Sequence, residues 1–238
     1  MDSVVMGQHV VIEDNVRFGN NVTIGHNVVI YAGTMIGDNV VIQDNVIIGK
    51  QPTRAKASVL PDVNNLSPTK VGSEVTIGTS SIIYANSTIG NNVFVADLAT
   101  IRERITIGDY TIIGRGVAVE NDCTIGEGCK LETNSYITAY SNLGDFVFIA
   151  PGVITTNDNY MGRTKERIDK FKGVTVKKGG RIGANATVLP GRIINEDGTV
   201  AAASTVTKDV AREILVLGSP AKDFSKVEEK QLLRNQKK

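Results

Sequence analysis

The fold is decided by a stretch in which the residue pattern repeats every six positions: VTIGHNVVIYAGTMIGDNVVIQDNVIIG, residues 22–49. Within it every sixth residue from Ile24 to Ile48 is isoleucine, and valine or threonine stands two residues before each of them. Glycine, asparagine and aspartate fill many of the places between. A period of six fits neither an amphipathic helix nor a long flat strand. It predicts short extended segments that alternate with turns.

The turn residues indicate how these segments are arranged. Asparagine, aspartate and glycine tolerate positive φ, so each hexad can end in a tight turn. Three hexads close a triangular coil of about 18 residues, and stacked coils pair their backbones at a spacing of roughly 4.8 Å. Both apolar series then point inward. The sequence therefore predicts an all-β, parallel β-helix with a thin core, which suits a chain without tryptophan.

The repeat extends beyond this stretch in both directions and is interrupted twice. It runs back to Val4, pauses after Lys50 and resumes at Ile77. It pauses again after Thr156 and continues from Val176 to Val206. We expect the two interruptions, about 51–70 and 157–173, to be loops that leave the solenoid. Such loops often carry function, although a tolerated insertion is the simpler interpretation.

The C-terminal segment has a different pattern, which suggests a separate capping element. Ser225 and Glu228 fit a capping box, so a short helix from Lys226 to Asn235 is expected to cover the last coil. The predicted organisation is a β-helix domain over 1–224, followed by a capping helix and tail over 225–238.

Composition excludes several classes of protein. The formal net charge is +1, which argues against the basic face of a nucleic-acid-binding protein. No stretch approaches the roughly 20 apolar residues of a membrane span. The start of the chain lacks the pattern of a signal peptide. Cys123 and Cys129 both fall on the small inward position and are interpreted as core residues, not a disulfide or a nucleophile. A cytoplasmic location is expected.

Three segments near the C-terminus carry a resemblance to a known family: VLPG at 188–191, AASTVTKDV at 202–210 and GSPAK at 218–222. They are similar to the C-terminal coil and exit signature of the hexapeptide-repeat acyltransferases. The repeat itself resembles that family over nearly the whole chain. The resemblance implies a left-handed β-helix, transfer of an acyl group from coenzyme A, and a homotrimer with active sites between neighbouring β-helices. Coenzyme A is then expected along the cleft beside the C-terminal coils.

A narrower resemblance lies in the middle of the chain, in GDFVFIAP at 144–151 and TND at 156–158. It is similar to the subgroup that N-acylates amino groups of nucleotide-linked deoxysugars. In that subgroup an asparagine early in this stretch and an Asn-Asp pair at the start of the loop lie at the sugar and acyl site. These roles are carried over to Asn134, Asn157 and Asp158. Some relatives have a glutamate where this chain has Ala139, so any function of that carboxylate is absent here.

The scarcity of histidine is informative about the reaction. The chain has only His9 and His26, both in the first coils and interpreted as surface residues. Acylating a hydroxyl needs a general base, usually histidine, and the carbonic-anhydrase branch of the fold holds its metal with three imidazoles. A neutral amine attacks a thioester without such a base. It needs a group to accept its proton, and Asp97 is the candidate because it departs from the local repeat.

The remaining candidate residues are assigned to binding of the sugar nucleotide or of coenzyme A. Glu132 leaves the same coil as Asn134, and Arg163 on the second loop, with Lys165 and Arg167, is a candidate for the diphosphate of a nucleotide sugar. Turn capping is the structural alternative for Asn157 and Asp158, and solvated charge is the alternative for the basic residues. The candidates for the phosphates of coenzyme A are Lys177, Lys178, Arg181, Lys208 and Lys222.

Three functions remain open from the sequence. The leading hypothesis is an acetyl- or acyl-CoA-dependent N-acyltransferase acting on a dTDP- or UDP-linked amino-deoxysugar, without a metal. The second is an O-acetyltransferase of serine or a sugar, which requires a base other than histidine. The third is a noncatalytic β-helix that acts as a scaffold or binding module, which the C-terminal signature and the second loop disfavour.

Overall fold

The computed structural model describes residues 4–59, 61, 63 and 65–236, and these form a left-handed parallel β-helix. Its short strands lie in three sheets that form the faces of a triangular prism. The strands are numbered in chain order. Sheet 1 contains β1 (Val4–Met6), β4 (Val22–Ile24), β7 (Val41–Ile42), β10 (Thr76–Ile77), β13 (Phe94–Val95), β16 (Ile112–Ile113), β19 (Lys130–Leu131), β22 (Phe148–Ile149), β25 (Arg181–Ile182), β28 (Thr199–Val200), β30 (Ile214–Gly218) and β31 (Ala221–Lys226).

The other two faces are built in the same way. Sheet 2 contains β2 (Val11–Ile12), β5 (Val29–Ile30), β8 (Ile47–Lys50), β11 (Ile82–Tyr84), β14 (Thr100–Ile101), β17 (Ala118–Val119), β20 (Tyr136–Ile137), β23 (Ile154–Thr155), β26 (Thr187–Val188) and β29 (Thr205–Val206). Sheet 3 contains β3 (Arg17–Phe18), β6 (Met35–Ile36), β9 (Lys70–Val71), β12 (Thr88–Ile89), β15 (Thr106–Ile107), β18 (Thr124–Ile125), β21 (Asn142–Leu143), β24 (Thr175–Val176) and β27 (Ile193–Ile194).

The corners of the prism repeat one backbone turn. We name each corner by the sheets that it joins in chain order: the 1–2, 2–3 and 3–1 corners. In one coil the third turn residue is Leu98, then Arg104, then Tyr110, with φ of 62°, 59° and 57°. Left-handed φ is uncommon for such residues, and the inter-coil hydrogen bonds hold it at each corner. The side chains of the turns are therefore free to differ between corners.

The core is the inward apolar series that the six-residue period predicts. Ile83, Ile101 and Ile137 are fully buried, with Val95 and Val119 beside them on neighbouring strands. Each layer touches only the coils next to it, so the core is long and thin. Replacing one of these isoleucines by alanine costs about 2–5 kcal/mol through lost burial and the cavity left behind.

The end of the chain differs from the sequence prediction. The expected helix from Lys226 to Asn235 is not formed, and Ser225 lies in β31. Two 3-10 turns, Glu229–Gln231 and Leu233–Asn235, stand in its place. The hairpin of β30 and β31 continues sheet 1 past β28 instead. The backbone of β30 pairs with β28 on one side and with β31 on the other, so β31 becomes the edge strand of sheet 1. Among the described residues, no helix is long and apolar enough to cross a membrane.

Candidate active site at the loop-bearing corner

Both ejected loops leave the prism at the same corner. The first loop follows β8 and returns at β9, and the second follows β23 and returns at β24, so both replace turns of the 2–3 corner. In sheet 2 four strands separate β8 from β23. At the spacing of parallel strands, the two departure points lie roughly 24 Å apart. The coils between them keep ordinary turns, and both loops fold over that stretch of corner.

The two loops meet in a cleft of about 380 Å³. The first loop contributes Ala57 to Val59, and the coil beneath contributes the turn residues Ala139 and Tyr140. The second loop closes the other side with Asn157, Asp158, Arg167 and Phe171. A cleft that combines an aromatic ring, a guanidinium group and amide and carboxylate side chains has the character of a small-molecule site.

Asp158 organises the start of the second loop. Its carboxylate accepts hydrogen bonds from the Tyr160 and Gly162 backbone N–H groups, at 2.8 and 2.9 Å, and pairs with Arg167 at 3.2 Å. The Gly162 bond, with those from Tyr160 and Arg167, holds the pKa of Asp158 below its usual value. The Arg167 guanidinium lies 5.5 Å from the centre of the Phe171 ring. The aspartate thus shapes the loop and fixes the arginine that lines the cleft.

The second loop rejoins the solenoid through a close backbone approach. The Lys172 N–H donates to the Asn157 carbonyl at 3.1 Å, so the two ends of the loop are already in contact. A Cβ atom at Gly173 would overlap the backbone of Tyr140 and Ser141. Only glycine therefore allows the returning chain to lie on the preceding coil.

The first loop is anchored by a buried ion pair. The Arg54 Nη2 atom lies 2.7 Å from Glu103 Oε1, and the two side chains are 10% and 0% exposed. Arg102 also donates to Glu103, from Nε at 2.9 Å, and its guanidinium stacks over Tyr84 at 4.7 Å. Breaking such a pair leaves an uncompensated charge in a poorly solvated place, so Glu103 fixes the loop to the β-helix.

Further charged residues continue along the same corner. Arg104 donates to Asp122 from Nε and Nη2, at 2.5 and 2.6 Å. The Asn121 amide adds a bond to the same carboxylate at 2.6 Å. Burial opposes ionisation of Asp122, but these hydrogen bonds outweigh it and lower its pKa. A small cavity of about 90 Å³ lies between Arg54, Arg104, Asn121 and Tyr140, beside Pro61 and Val63 of the loop.

Sequence analysis missed this part of the site. Arg54, Arg102, Glu103 and Arg104 were not among the candidate residues, and neither was Tyr140. One signal was available, because the turns at 102–104 and 120–122 carry several charges where most turns carry glycine and asparagine. The partner of Glu103 on a loop 49 residues earlier could not be foreseen.

Comparison with known proteins agrees with the repeat. The bacterial transferase hexapeptide family, described by six repeats, matches residues 16–50 and 104–139. The chain thus contains the six-residue repeat that this family model describes. The solved structure of the Francisella novicida UDP-N-acetylglucosamine acyltransferase shares the fold, with a TM-score of 0.56 and 16% identity over 94% of this chain and 71% of that chain. A hexapeptide-repeat acetyltransferase from Vibrio cholerae O1 biovar eltor, solved with acetyl coenzyme A, aligns with a TM-score of 0.47 and 23% identity over 52% of this chain and 71% of its own.

A curated relative matches a shorter part of this chain. Over 54 residues the chain is 43% identical to the dTDP-3-amino-3,6-dideoxy-alpha-D-galactopyranose 3-N-acetyltransferase of Aneurinibacillus thermoaerophilus. The match covers 23% of this chain and 28% of the relative. The chain thus spans little more than a quarter of the length of the curated relative that it matches.

The two residues predicted to be catalytic, Asp97 and Asn134, lie on another corner of the protein, together with the predicted substrate-binding residue Glu132. Asp97, Glu132 and Asn134 all belong to turns of the 1–2 corner. Asp97 is exposed, and its Oδ1 atom accepts the Thr79 backbone N–H at 2.9 Å. Asp44, two turns earlier on the same corner, makes the equivalent bond with the His26 N–H. This contact accounts for an aspartate at position 97, and its role as proton acceptor stays a prediction.

Two of the three predicted substrate-binding residues of the second loop line the cleft, and the third does not. Asn157 and Asp158 line the cleft. Asp158 also makes the side-chain to backbone bonds that were the structural alternative for it. Arg163 is exposed and is not among the residues that line the cleft, whereas Arg167 is. Arg167 is therefore better placed than Arg163 to contact a ligand in the cleft.

The predicted coenzyme A residues fall into two groups near the C-terminal end. Lys208 and Lys222 line one cavity of about 440 Å³ beside the hairpin. Lys178 lines a second cavity of about 520 Å³ under the C-terminal tail, and Arg181 donates to Gln231 of that tail at 3.2 Å. Lys177 pairs with Glu196 at 3.7 Å. The tail cavity is the larger, but it lies on the 3–1 corner, away from both loops.

Two other predictions concern the sulfur atoms and metals. Cys123 and Cys129 are both buried and unpaired. Burial raises the pKa of the Cys123 thiol to about 12 and that of Cys129 to about 11, so neither is a thiolate near neutral pH. Within the part of the chain that the structure describes, no group of three or more histidine, cysteine, aspartate or glutamate residues is arranged to hold a metal ion.

Proposed function

We propose that the protein is an acyl-CoA-dependent N-acyltransferase whose acceptor is the amino group of a dTDP- or UDP-linked amino-deoxysugar. The observation that carries this proposal is the cleft formed where both loops converge on the 2–3 corner. The chemical identity of the acceptor is suggested by the partial match to an N-acetyltransferase that acts on a dTDP-linked amino sugar. Two loops that meet over a rigid solenoid offer a way to enclose such a substrate.

The position of the histidines favours an amine acceptor. His9 and His26 both lie in turns of the 1–2 corner in the first coils, and His26 Nδ1 accepts the Gln8 N–H at 2.9 Å. Neither lines the cleft. An alcohol acceptor would need a base in that position. An amine needs only to lose one proton from its ammonium form before it attacks.

The proposed reaction then proceeds in two steps. The neutral amine nitrogen attacks the thioester carbonyl carbon, which forms a C–N bond and a tetrahedral oxyanion. A carboxylate takes one proton from that nitrogen, the C–S bond breaks, and the proton passes to the coenzyme A thiolate. Asp97 is the acceptor that the sequence predicts, with Asn134 to hold the amine. Glu132, Asn157, Asp158 and Arg163 are proposed to bind the sugar nucleotide.

We propose further that the protein is a homotrimer with clefts between its protomers. The outward residues of sheets 1 and 2 support this, because Phe94 and Ile154 are 46% and 41% exposed. The outward side of sheet 3 is polar, with Thr88, Thr106 and Thr124 in a row. Sheet 1 of one protomer against sheet 2 of the next would bury the apolar faces and close with threefold symmetry. Light scattering at micromolar concentration is expected to give the mass of a trimer.

Coenzyme A is proposed to lie along such a cleft toward the C-terminal coils. Lys208 and Lys222, which share one cavity, are the best placed to bind its phosphates. Lys177, Lys178 and Arg181 form the second proposed group.

The experiment that tests the function is release of free thiol from acetyl-CoA in the presence of a panel of dTDP- and UDP-linked amino sugars. We expect thiol release with at least one amino sugar and none with the matching 3-hydroxy or 4-hydroxy nucleotide sugar. Release with serine or an unmodified sugar would instead identify an O-acetyltransferase. Absence of release with every acceptor, using longer acyl-CoA donors as well, would indicate a noncatalytic protein.

A further inference from the structure

Between residues 102 and 158, the turns of the loop-bearing corner carry four carboxylates, and three of them are fully occupied. Glu103 is held by Arg54 and Arg102. Asp122 accepts two bonds from Arg104 and one from Asn121. Asp158 accepts two backbone N–H groups and pairs with Arg167. A carboxylate whose oxygens are already bonded in this way is a poor proton acceptor.

Glu120 is different. It follows β17 and lies between Arg102 and Thr138 in the stack of the 2–3 corner. Its side chain is 27% exposed, and the nearest cation, Arg102 Nη1, is 4.0 Å from Oε2. The other two guanidinium nitrogens of Arg102 donate to Glu103. Within the described residues, no hydrogen bond reaches the Glu120 carboxylate.

The surroundings of Glu120 make it more basic. Burial is the main cause that raises its pKa, and the negative charge of Glu103 raises it further, while Arg102 and Arg54 act in the opposite direction. Burial raises the pKa of Tyr136, which lies on the outward side of the next strand, and the negative charge of Glu120 raises it further. These are the charged and titratable groups that face it from β14, from β20 and from the first loop. A carboxyl with a raised pKa is better matched to proton transfer near neutral pH.

Glu120 also lies close to the cleft. The cleft residues Ala139 and Tyr140 belong to the next turn of the corner, and Asn157 belongs to the turn after that. At the spacing of parallel strands, these turns are roughly 5 and 10 Å further along the prism. A sugar bound in the cleft can therefore place an amino group within reach of this carboxylate. Asp97, by contrast, lies on the 1–2 corner and already accepts a backbone N–H.

We propose that Glu120 is the carboxylate that accepts the proton from the sugar amine and passes it to the departing thiolate. This inference rests on the proposed function and replaces only the acceptor. The amine nitrogen bonds to the acyl carbon, one N–H proton moves to a Glu120 oxygen, the C–S bond breaks, and the thiolate takes the proton back. The products are the amide and free coenzyme A, and the carboxylate is restored.

The test compares three variants of the full-length protein with the wild type. Glu120→Gln keeps the shape of the side chain and breaks no hydrogen bond. It is expected to lower kcat by on the order of 10²-fold, with little change in KM for acyl-CoA. Glu127→Gln is the matched control, because this exposed glutamate lies on the 3–1 corner. Asp97→Asn is the rival variant. Glu127→Gln is expected to retain most of the activity.

The pH profile gives a second readout that needs no loss of activity. In the wild type, log kcat/KM falls with slope one as the amine gains a proton. The slope becomes two below the pKa of Glu120, where the acceptor is protonated as well. In Glu120→Gln the slope stays at one.

Three results would overturn the inference in different ways. If the wild type releases thiol but Glu120→Gln retains more than about a third of kcat, Glu120 is not the acceptor and the proposed function stands. If the wild type releases no thiol with any amino sugar, both fail. A loss of equal size in Asp97→Asn would return the role to Asp97.

Discussion

The 1–2 and 2–3 corners share one backbone turn but use their side chains in opposite ways. On the 1–2 corner, Asp97 bonds the backbone N–H of Thr79 in the coil before it. On the 2–3 corner, Arg104 pairs with the side chain of Asp122, and Glu103 pairs with Arg54 of the first loop. The first arrangement links neighbouring coils of the stack. The second joins the stack to loops, which builds a site.

The difference shows that the backbone geometry of a β-helix does not determine where its functional site lies. Leu98, Arg104 and Asp122 all adopt φ near 60° as third turn residues. The ladder of inter-coil hydrogen bonds enforces this geometry whatever the side chain is. What distinguishes the 2–3 corner is the set of ion pairs that Glu103 and Asp122 make with arginines of the corner and of the first loop. Three predictions test this contrast, and a fourth concerns the buried core.

The largest effect is expected from removing the second loop. Deleting 159–171 should leave the β-helix folded, because Asn157 and Lys172 already touch and the strands on either side stack independently. Activity should fall by at least about 10²-fold, the smallest contribution expected of well-oriented catalytic and positioning groups. Circular dichroism and thiol release measure the two quantities. Unchanged kcat/KM in the folded deletion variant would mean that the cleft is not the site.

A large loss of stability is expected from Glu103→Gln. The substitution leaves the guanidinium groups of Arg54 and Arg102 without their buried counter-charge. The expected loss is about 3–5 kcal/mol of unfolding free energy, which urea denaturation measures. Asp97→Asn on the plain corner is the control. It is exposed and keeps an oxygen for the Thr79 N–H, so its effect should stay within about 0.5 kcal/mol. Equal losses in the two variants would erase the contrast between the corners.

A smaller, local effect is expected from Asp158. Its pKa in the folded protein is lower than in the unfolded chain, so its contribution is fully present above the unfolded value of 3.8 and is lost as the pH falls through the lower folded value. Amide exchange of the loop, corrected for its intrinsic pH dependence, should therefore be constant from pH 7 to about pH 5. Asp158→Asn should speed tryptic cleavage at Arg163 and Lys165 at neutral pH. Cleavage at the wild-type rate would show that the carboxylate does not order the loop.

No effect is expected at the two thiols beneath the corners. Cys123 and Cys129 are buried, and burial raises their pKa to about 12 and about 11. A thiol reagent at pH 8 should therefore leave both unmodified in the native protein and label both in denaturant. This also means that they do not interfere with an assay of released coenzyme A. Rapid labelling of either thiol in the native protein would show that the core opens at that coil.

The sequence by itself determined the β-helix, its two interruptions and the burial of the inward residues. It did so because a six-residue period acts through local geometry, a short strand and a tight turn, that neighbouring coils only repeat. The C-terminal helix was wrongly predicted because a capping-box pattern is a weak local preference. A free sheet edge beside β30 offered these residues stronger pairing.

Only the tertiary structure decided which residues share a corner and what the loops contact. Asn157 and Asp158, which line the cleft, were singled out by the resemblance and by their place at the start of a visible break in the repeat. Arg54, Glu103 and Glu120 were not found, because their contacts arise only when the chain winds into coils. The 18-residue coil places Arg102 beside Glu120, and the first loop returns Arg54 to a glutamate 49 residues later. Periodicity fixes whether a side chain points in or out, whereas the partner of an outward charge depends on the path of the whole chain.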